Sequence, residues 1–147
     1  MIQRIQTLFV LVAEMLVASL FMLKFADLSV NGELLIFNAK GIFNNETLIF
    51  NGLPLLIFIG LILFLHLAII FMYKKRIRQI RMLVFTIILL MGLFGMFFYF
   101  TYAGFDGAKV AFKIPVAFPI IAIVLDYLAI RAIGKDEALI RSMNRIR

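Results

Sequence analysis

The 147-residue chain is 65% hydrophobic, with a mean hydropathy of +1.10 and a net charge of +7, and it is far more apolar than a soluble domain. The absence of cysteine excludes disulfides, thiol redox chemistry, cysteine-ligated zinc and iron–sulfur clusters. The positive charges flank apolar runs and accompany no nucleic-acid motif, so they indicate contact with anionic lipid headgroups and argue against nucleic acid as a partner.

Four apolar runs are long enough to cross a bilayer, which takes about 20 residues in a helix. The first contains Glu14, the second His66 and the fourth Asp126, whereas the third has no charged side chain. We therefore predict an all-α membrane protein, a four-transmembrane-helix bundle that forms one domain over residues 1–147. The predicted segments are spans at about 5–25, 54–73, 82–103 and 114–133, an outer loop at 27–52 and a tail at 134–147.

The outer loop after the first span alternates β-forming residues with turn residues. Asn31-Gly32 is typical of a two-residue type I′ hairpin turn, and the segments LLIFN at 34–38 and TLIFNG at 47–52 have the pattern of two paired strands. We predict a small β-hairpin or meander over the periplasmic mouth of the bundle. The alternative is an extended loop whose phenylalanines enter the headgroup layer.

Lysine and arginine are distributed unequally between the two ends of the predicted spans. Eleven lie on the side of both termini and of the loop between spans two and three, against four on the other side. Since basic short loops stay in the cytoplasm, both termini should be cytoplasmic. The cations expected to set topology and touch lipid headgroups are Lys74, Lys75, Arg76, Arg78, Arg81, Arg131, Arg141 and Arg145.

The last span and the tail carry three features that affect helix shape. Pro115 falls in the first turn of span four, and Pro119, one turn deeper, should bend that helix. The loop before this span is expected to be only a short connection. The tail repeats apolar residues at helical spacing, which predicts a cytoplasmic amphipathic helix separated from the span by a bend at Gly134. It would lie on the inner leaflet or, alternatively, dock onto a partner.

Three ionisable side chains and a threonine form the candidate site. At 1.5 Å of rise per residue, Glu14, His66 and Asp126 lie about 8–10 Å inside the cytoplasmic boundary, so they could meet in an up-down bundle and be joined by Thr86. We interpret this intramembrane polar cluster as a clasp that specifies helix docking. A proton or ion relay, a three-ligand metal site, and three groups that never meet are the alternatives.

The catalytic motifs of common enzyme classes are missing from the sequence, which has no G-x-S-x-G, no H-E-x-x-H and no P-loop. We therefore expect no enzymatic activity, no metal and no cofactor. The expected function is that of a structural or accessory subunit that assembles with other membrane subunits or with itself. The alternative is a small proton- or ion-linked transporter or channel that uses Glu14, His66 and Asp126.

Three stretches of the chain carry a resemblance to a known family. They are MIQRIQTLFVL at the start, YKKRIRQIRM between spans two and three, and PVAFPIIAIVLDYLAIRAIGKDEALIRSMNRIR at the end. Together they resemble the bacterial family described as domain of unknown function 4293, which implies a small four-span protein of the inner membrane. The family label carries no activity, so it assigns no functional residues. Asn144 departs from the family pattern, which has an acidic residue at that position.

Overall fold

The computed structural model describes residues 3–30, 32–44, 47–72, 75–102, 105 and 108–144. These residues form four α-helices, one 3-10 turn and one five-stranded antiparallel sheet. In chain order the elements are α1 Gln3–Ser19, β1 Lys24–Val30, β2 Glu33–Asn38, β3 Gly41–Asn44, β4 Thr47–Asn51, α2 Leu53–Phe71, α3 Arg76–Tyr102, β5 Lys109–Phe112, the 3-10 turn Ile114–Ala117 and α4 Phe118–Asn144.

Three of the helices, α2, α3 and α4, are long and apolar enough to cross a membrane. The first helix, α1, has 17 residues, which corresponds to about 25 Å, and it ends at Ser19 although the first span is predicted to reach residue 25. The amides of Leu20, Phe21 and Met22 turn back to carbonyls three residues earlier, and this tightening ends the helix. The chain then enters β1 at Lys24.

The four helices form a ring in which each helix packs against two others. Contacts join α1 to α2 and α4, and α3 to the same two helices, so α2 and α4 lie opposite each other. Buried residues recur at alternating intervals of three and four, the spacing of interlocking helix ridges. On α1 they are Gln6, Val10, Ala13 and Val17, and on α4 they are Ala122, Asp126, Ala129, Ile133 and Asp136.

The sheet is larger than the sequence predicts, with the strand order β4-β3-β2-β1-β5. The predicted hairpin is present, because Val30 of β1 pairs with Glu33 of β2 around the turn that contains Gly32, whose φ is 89°; Asn31 itself lies outside the described residues. The prediction that segments 34–38 and 47–52 pair directly is wrong, since β3 lies between them. The second outer connection is also more than a loop, because it contributes β5, which pairs with β1.

A cluster of aromatic rings joins the sheet to the end of α3. The ring centroid of Phe25 on β1 lies 5.2 Å from that of Phe37 on β2 and 4.6 Å from that of Phe97 on α3. All three side chains are completely buried. Burial of each aromatic side chain contributes about 2–3 kcal/mol to stability, so this cluster holds the sheet rigidly against the helices.

The start of α3 and the C-terminal part of α4 differ from their predicted form. The basic segment is not a loop throughout, since α3 begins at Arg76. The predicted separation of the tail from span four at Gly134 is wrong, because α4 continues as one helix from Phe118 to Asn144 and so includes the described part of the tail. Pro115 lies in the 3-10 turn before α4, and Pro119 is the second residue of that helix, where no intrahelical bond is lost.

β3 approaches the end of β4 closely at Gly41. Gly41 has a φ of 136°, and a Cβ at this position would lie 2.0 Å from the carbonyl oxygen of Phe50. We expect Gly41→Ala to destabilise the fold by about 2 kcal/mol or more, because both the backbone conformation and the contact become strained. Thermal unfolding in mild detergent, followed by circular dichroism, measures this effect.

Gly95 supplies the matched control, because a Cβ there would meet nothing within 4 Å and the residue lies in the exposed face of α3. Gly95→Ala should leave stability unchanged or raise it by up to about 1 kcal/mol. Equal melting temperatures for the two variants would contradict the strand packing described above.

Candidate functional site

A contact between His66 and Asp126 crosses the interior of the helix ring. Nε2 of His66 on α2 lies 3.0 Å from Oδ2 and 3.2 Å from Oδ1 of Asp126 on α4. Both side chains are 0% exposed. Because α2 and α4 are opposite each other in the ring, this pair bridges helices that otherwise touch little.

Residue size explains how the imidazole reaches its partner. Asp126 is flanked one turn away on each side by Ala122 and Ala129, both fully buried. Small side chains at these positions leave space in the centre of the ring for the imidazole that projects from α2. His66 itself lies between Ile62 and Ile69 in the buried stripe of its helix, so its side chain points inward by register.

The pair separates two apolar clusters of the core. Toward the sheet lies the larger cluster, which includes Ile62, Leu90 and Ala122. Toward the basic ends of the helices lies a smaller cluster, which consists of Val10, Ile69, Leu83, Ala129 and Ile133 together with half-buried neighbours. The polar layer between them is therefore enclosed by hydrocarbon, where an electrostatic contact is strong and an unpaired polar group is costly.

Among the described residues, neither Thr86 nor Glu14 forms a hydrogen bond with His66 or Asp126. Thr86 is fully buried at the corresponding level of α3, and its hydroxyl donates to the carbonyl oxygen of Met82 in its own helix at 2.9 Å. Glu14 is half-buried on the flank of α1. In the described part of the chain no three His, Cys, Asp or Glu side chains are close enough to hold a metal, so Glu14 does not complete a ligand set with His66 and Asp126.

The second ring nitrogen of His66 is an unsatisfied group. Nδ1 is buried and has no hydrogen-bond partner among the described residues. With the proton on Nε2, the imidazole donates to the Asp126 carboxylate, and Nδ1 is left as an acceptor in an apolar site. The chemistry available to the pair is therefore the sharing of a proton between one nitrogen and one carboxylate.

A second polar layer, which the sequence reasoning missed, lies at the basic end of the ring. Nε2 of Gln6 on α1 donates to Oδ2 of Asp136 on α4, and both residues are buried. On α3 the buried Gln79 donates from Nε2 to the carbonyl oxygen of Ile69 at 3.3 Å. The signal was present, because these three residues continue the buried stripes of their helices at intervals of three or four.

Five of the eight predicted cationic residues are described around this same end. Lys75, Arg78, Arg81 and Arg131 are exposed, and Arg76 is half-buried with an Nη1 atom that has no partner within the described ranges. For Arg141 the structure describes only its place in α4, and Lys74 and Arg145 lie outside the described residues. Their contact with lipid headgroups stays a prediction.

Comparison with models of known protein families identifies the family of this chain. The family model described as domain of unknown function (DUF4293) matches residues 2–146, which confirms the resemblance carried by the three sequence stretches. The comparisons with curated proteins and with solved structures gave no match.

The buried pair generates a double-mutant prediction. His66→Leu and Asp126→Leu should each destabilise the fold by about 3–5 kcal/mol, because each removal leaves its partner buried without a hydrogen bond. The double variant should recover most of that loss, since leucine at both positions leaves no uncompensated polar group. Thermal unfolding in mild detergent gives the four stabilities and hence the coupling energy.

Glu14→Leu is the matched control, because it removes a carboxylate from a similar depth that does not bind the pair. We expect its melting temperature to equal or exceed that of the unchanged chain. The interpretation of the pair as a clasp fails if all three single variants melt like the unchanged chain.

Proposed function

The chain belongs to the DUF4293 family, and from that membership we propose that it is a small multi-pass protein of the bacterial inner membrane that serves as a structural or accessory subunit of a larger membrane complex. In this proposal it catalyses no reaction and takes no cofactor. Its role is to present a fixed arrangement of helices to other subunits.

The proposed topology has four spans, with both termini in the cytoplasm and the sheet in the periplasm. Three helices are long enough to span, and we propose that α1 spans with the help of the Leu20–Leu23 turn that follows it. The cations at the start of α3 and near the end of α4 support a cytoplasmic position for those ends. The half-buried ion pair between Asp27 and Lys113 lies at the opposite end, beside the sheet.

The observation that carries the proposal is the complete burial of the His66–Asp126 pair. A catalytic or ligand-binding pair must be reachable by its substrate, whereas this one is enclosed between apolar clusters. Enclosure suits a contact whose task is to fix the depth and rotation of two helices.

Co-purification tests the proposed role. We expect the full-length chain, extracted in mild detergent and purified by an affinity tag, to migrate as a complex larger than a monomer, with defined stoichiometry. Cross-linking before extraction should identify the same neighbours. A homogeneous monomer in both experiments would contradict the assembly role.

The second candidate function is proton- or ion-linked transport, and it is favoured by the unpartnered Nδ1 of His66. A buried nitrogen without a partner can accept a proton or a water during a transport cycle. Vesicles that contain the purified chain and a pH-sensitive dye test this function. Under the transport proposal, His66→Gln and Asp126→Asn abolish proton flux and Glu14→Gln does not; flux equal to that of empty vesicles in every case would rule it out.

A further inference from the structure

Two neighbouring depressions lie where the sheet meets the helices, and they differ from the site described above. The first, which we call the sheet-side cleft, has a volume of about 540 Å³ and is lined by Met22, Leu23 and Lys24 on one wall and by Phe112, Lys113 and Ile114 on the other. The second, the α3–α4 groove, has a volume of about 380 Å³ and is lined by Phe94, Phe98, Val116 and Ile120. Phe112, Lys113 and Ile114 border both, so they form a ridge between the two.

The early end of α1 creates the sheet-side cleft. Because α1 stops at Ser19, the chain from Leu20 to Leu23 forms a tight turn before β1 begins, in which Leu20 is buried and Met22 is exposed. The facing wall is held in place by the amide of Lys113, which donates to the carbonyl oxygen of Phe25 at 2.8 Å. This backbone hydrogen bond ties the Lys113 wall of the cleft to β1.

Two apolar side chains that line the sheet-side cleft are unusually exposed. Met22 is 91% exposed and Ile114 is 80% exposed, and no other large apolar residue in the described part of the chain is as exposed as these two. Both line the sheet-side cleft. Such surface needs an apolar cover, and in a membrane acyl chains are the cover available.

The charge at the cleft is positive. Nζ of Lys113 lies 2.7 Å from Oδ2 of Asp27, so these two charges offset each other. Lys24 is exposed, and no ion pair of its side chain is found in the described ranges. One uncompensated ammonium, that of Lys24, thus lines the sheet-side cleft, and the α3–α4 groove adjoins this cleft across the Phe112–Ile114 ridge. A cation beside two adjoining apolar depressions is the complement of a phosphate attached to two acyl chains.

We propose that this place binds one anionic diacyl phospholipid, with its phosphate at Lys24 and one acyl chain on each side of the Phe112–Ile114 ridge. A zwitterionic lipid fits less well, because its headgroup cation is repelled by the uncompensated ammonium of Lys24. The inference rests on the proposed membrane location of the chain, but it concerns the end opposite the basic cluster and needs no partner protein.

Native mass spectrometry of the full-length chain in mild detergent tests the proposal. The probes are phosphatidylglycerol, phosphatidylcholine with the same acyl chains, and inorganic phosphate, each added at the same concentration. We expect one phosphatidylglycerol to be retained in preference to phosphatidylcholine, and no retention of inorganic phosphate. Equal retention of the two lipids, or retention of phosphate alone, would overturn the proposal.

Variants separate the charge from the acyl contacts. Lys24→Gln should lower retention of phosphatidylglycerol about fivefold, the effect of one basic residue beside an anionic lipid, while Ile114→Ser should weaken retention of both lipids. Lys40→Gln is the control, since Lys40 is exposed in the turn between β2 and β3 and lies outside the cleft. Retention by Lys24→Gln equal to that of Lys40→Gln would refute the assigned headgroup position. A chain that stays soluble without detergent would instead refute the membrane location.

Discussion

The proposed docking role depends on one physical constraint, the buried contact between His66 and Asp126. In the proposed membrane location, an apolar side chain gains little by leaving lipid for a neighbouring helix, so leucine and isoleucine alone do not select one arrangement. A buried imidazole and a buried carboxylate do select one, because each is costly without the other. Since they reach across the ring from opposite helices, satisfying this one contact fixes the depth and rotation of both α2 and α4, and α1 and α3 close the ring on either side.

The sheet gives the opposite end a different kind of order. Its inner face packs Phe25 and Phe37 on Phe97 of α3, and its strands satisfy their own backbone groups. Both edges are protected against pairing with another chain. β4 carries a bulge opposite the step from Ile42 to Phe43, and β5 is only four residues long and begins with Lys109. The sheet therefore caps this end of the helices, and its two edge strands offer little support for assembly by strand addition.

Sequence reasoning identified the features that depend on local pattern. The runs that became α2, α3 and α4 were recognisable by length and hydropathy, and the β1–β2 hairpin by its turn residues. The sequence pattern did not predict β3 and β5, because a four-residue strand is defined by the strand it pairs with and not by its own composition. Depth along a helix, which can be counted from the sequence, placed Glu14 level with His66. Rotation around the helix, which decided that Glu14 lies on a flank, depends on how α1 packs.

The distribution of buried polar groups distinguishes a docking role from a conducting one. Gln6, Gln79 and Asp136 form one layer near the basic end, and His66, Thr86 and Asp126 form the next. Beyond them toward the sheet, the next buried polar side chain in the described chain is Thr101, which is about 22 Å farther along α3 than Thr86. The hydroxyl of Thr101 is occupied by the carbonyl of Phe97. A proton that reached His66 from the basic end would face this apolar stretch without a further carrier. This distribution supports the proposed docking role, because continuous conduction would require a rearrangement of the core.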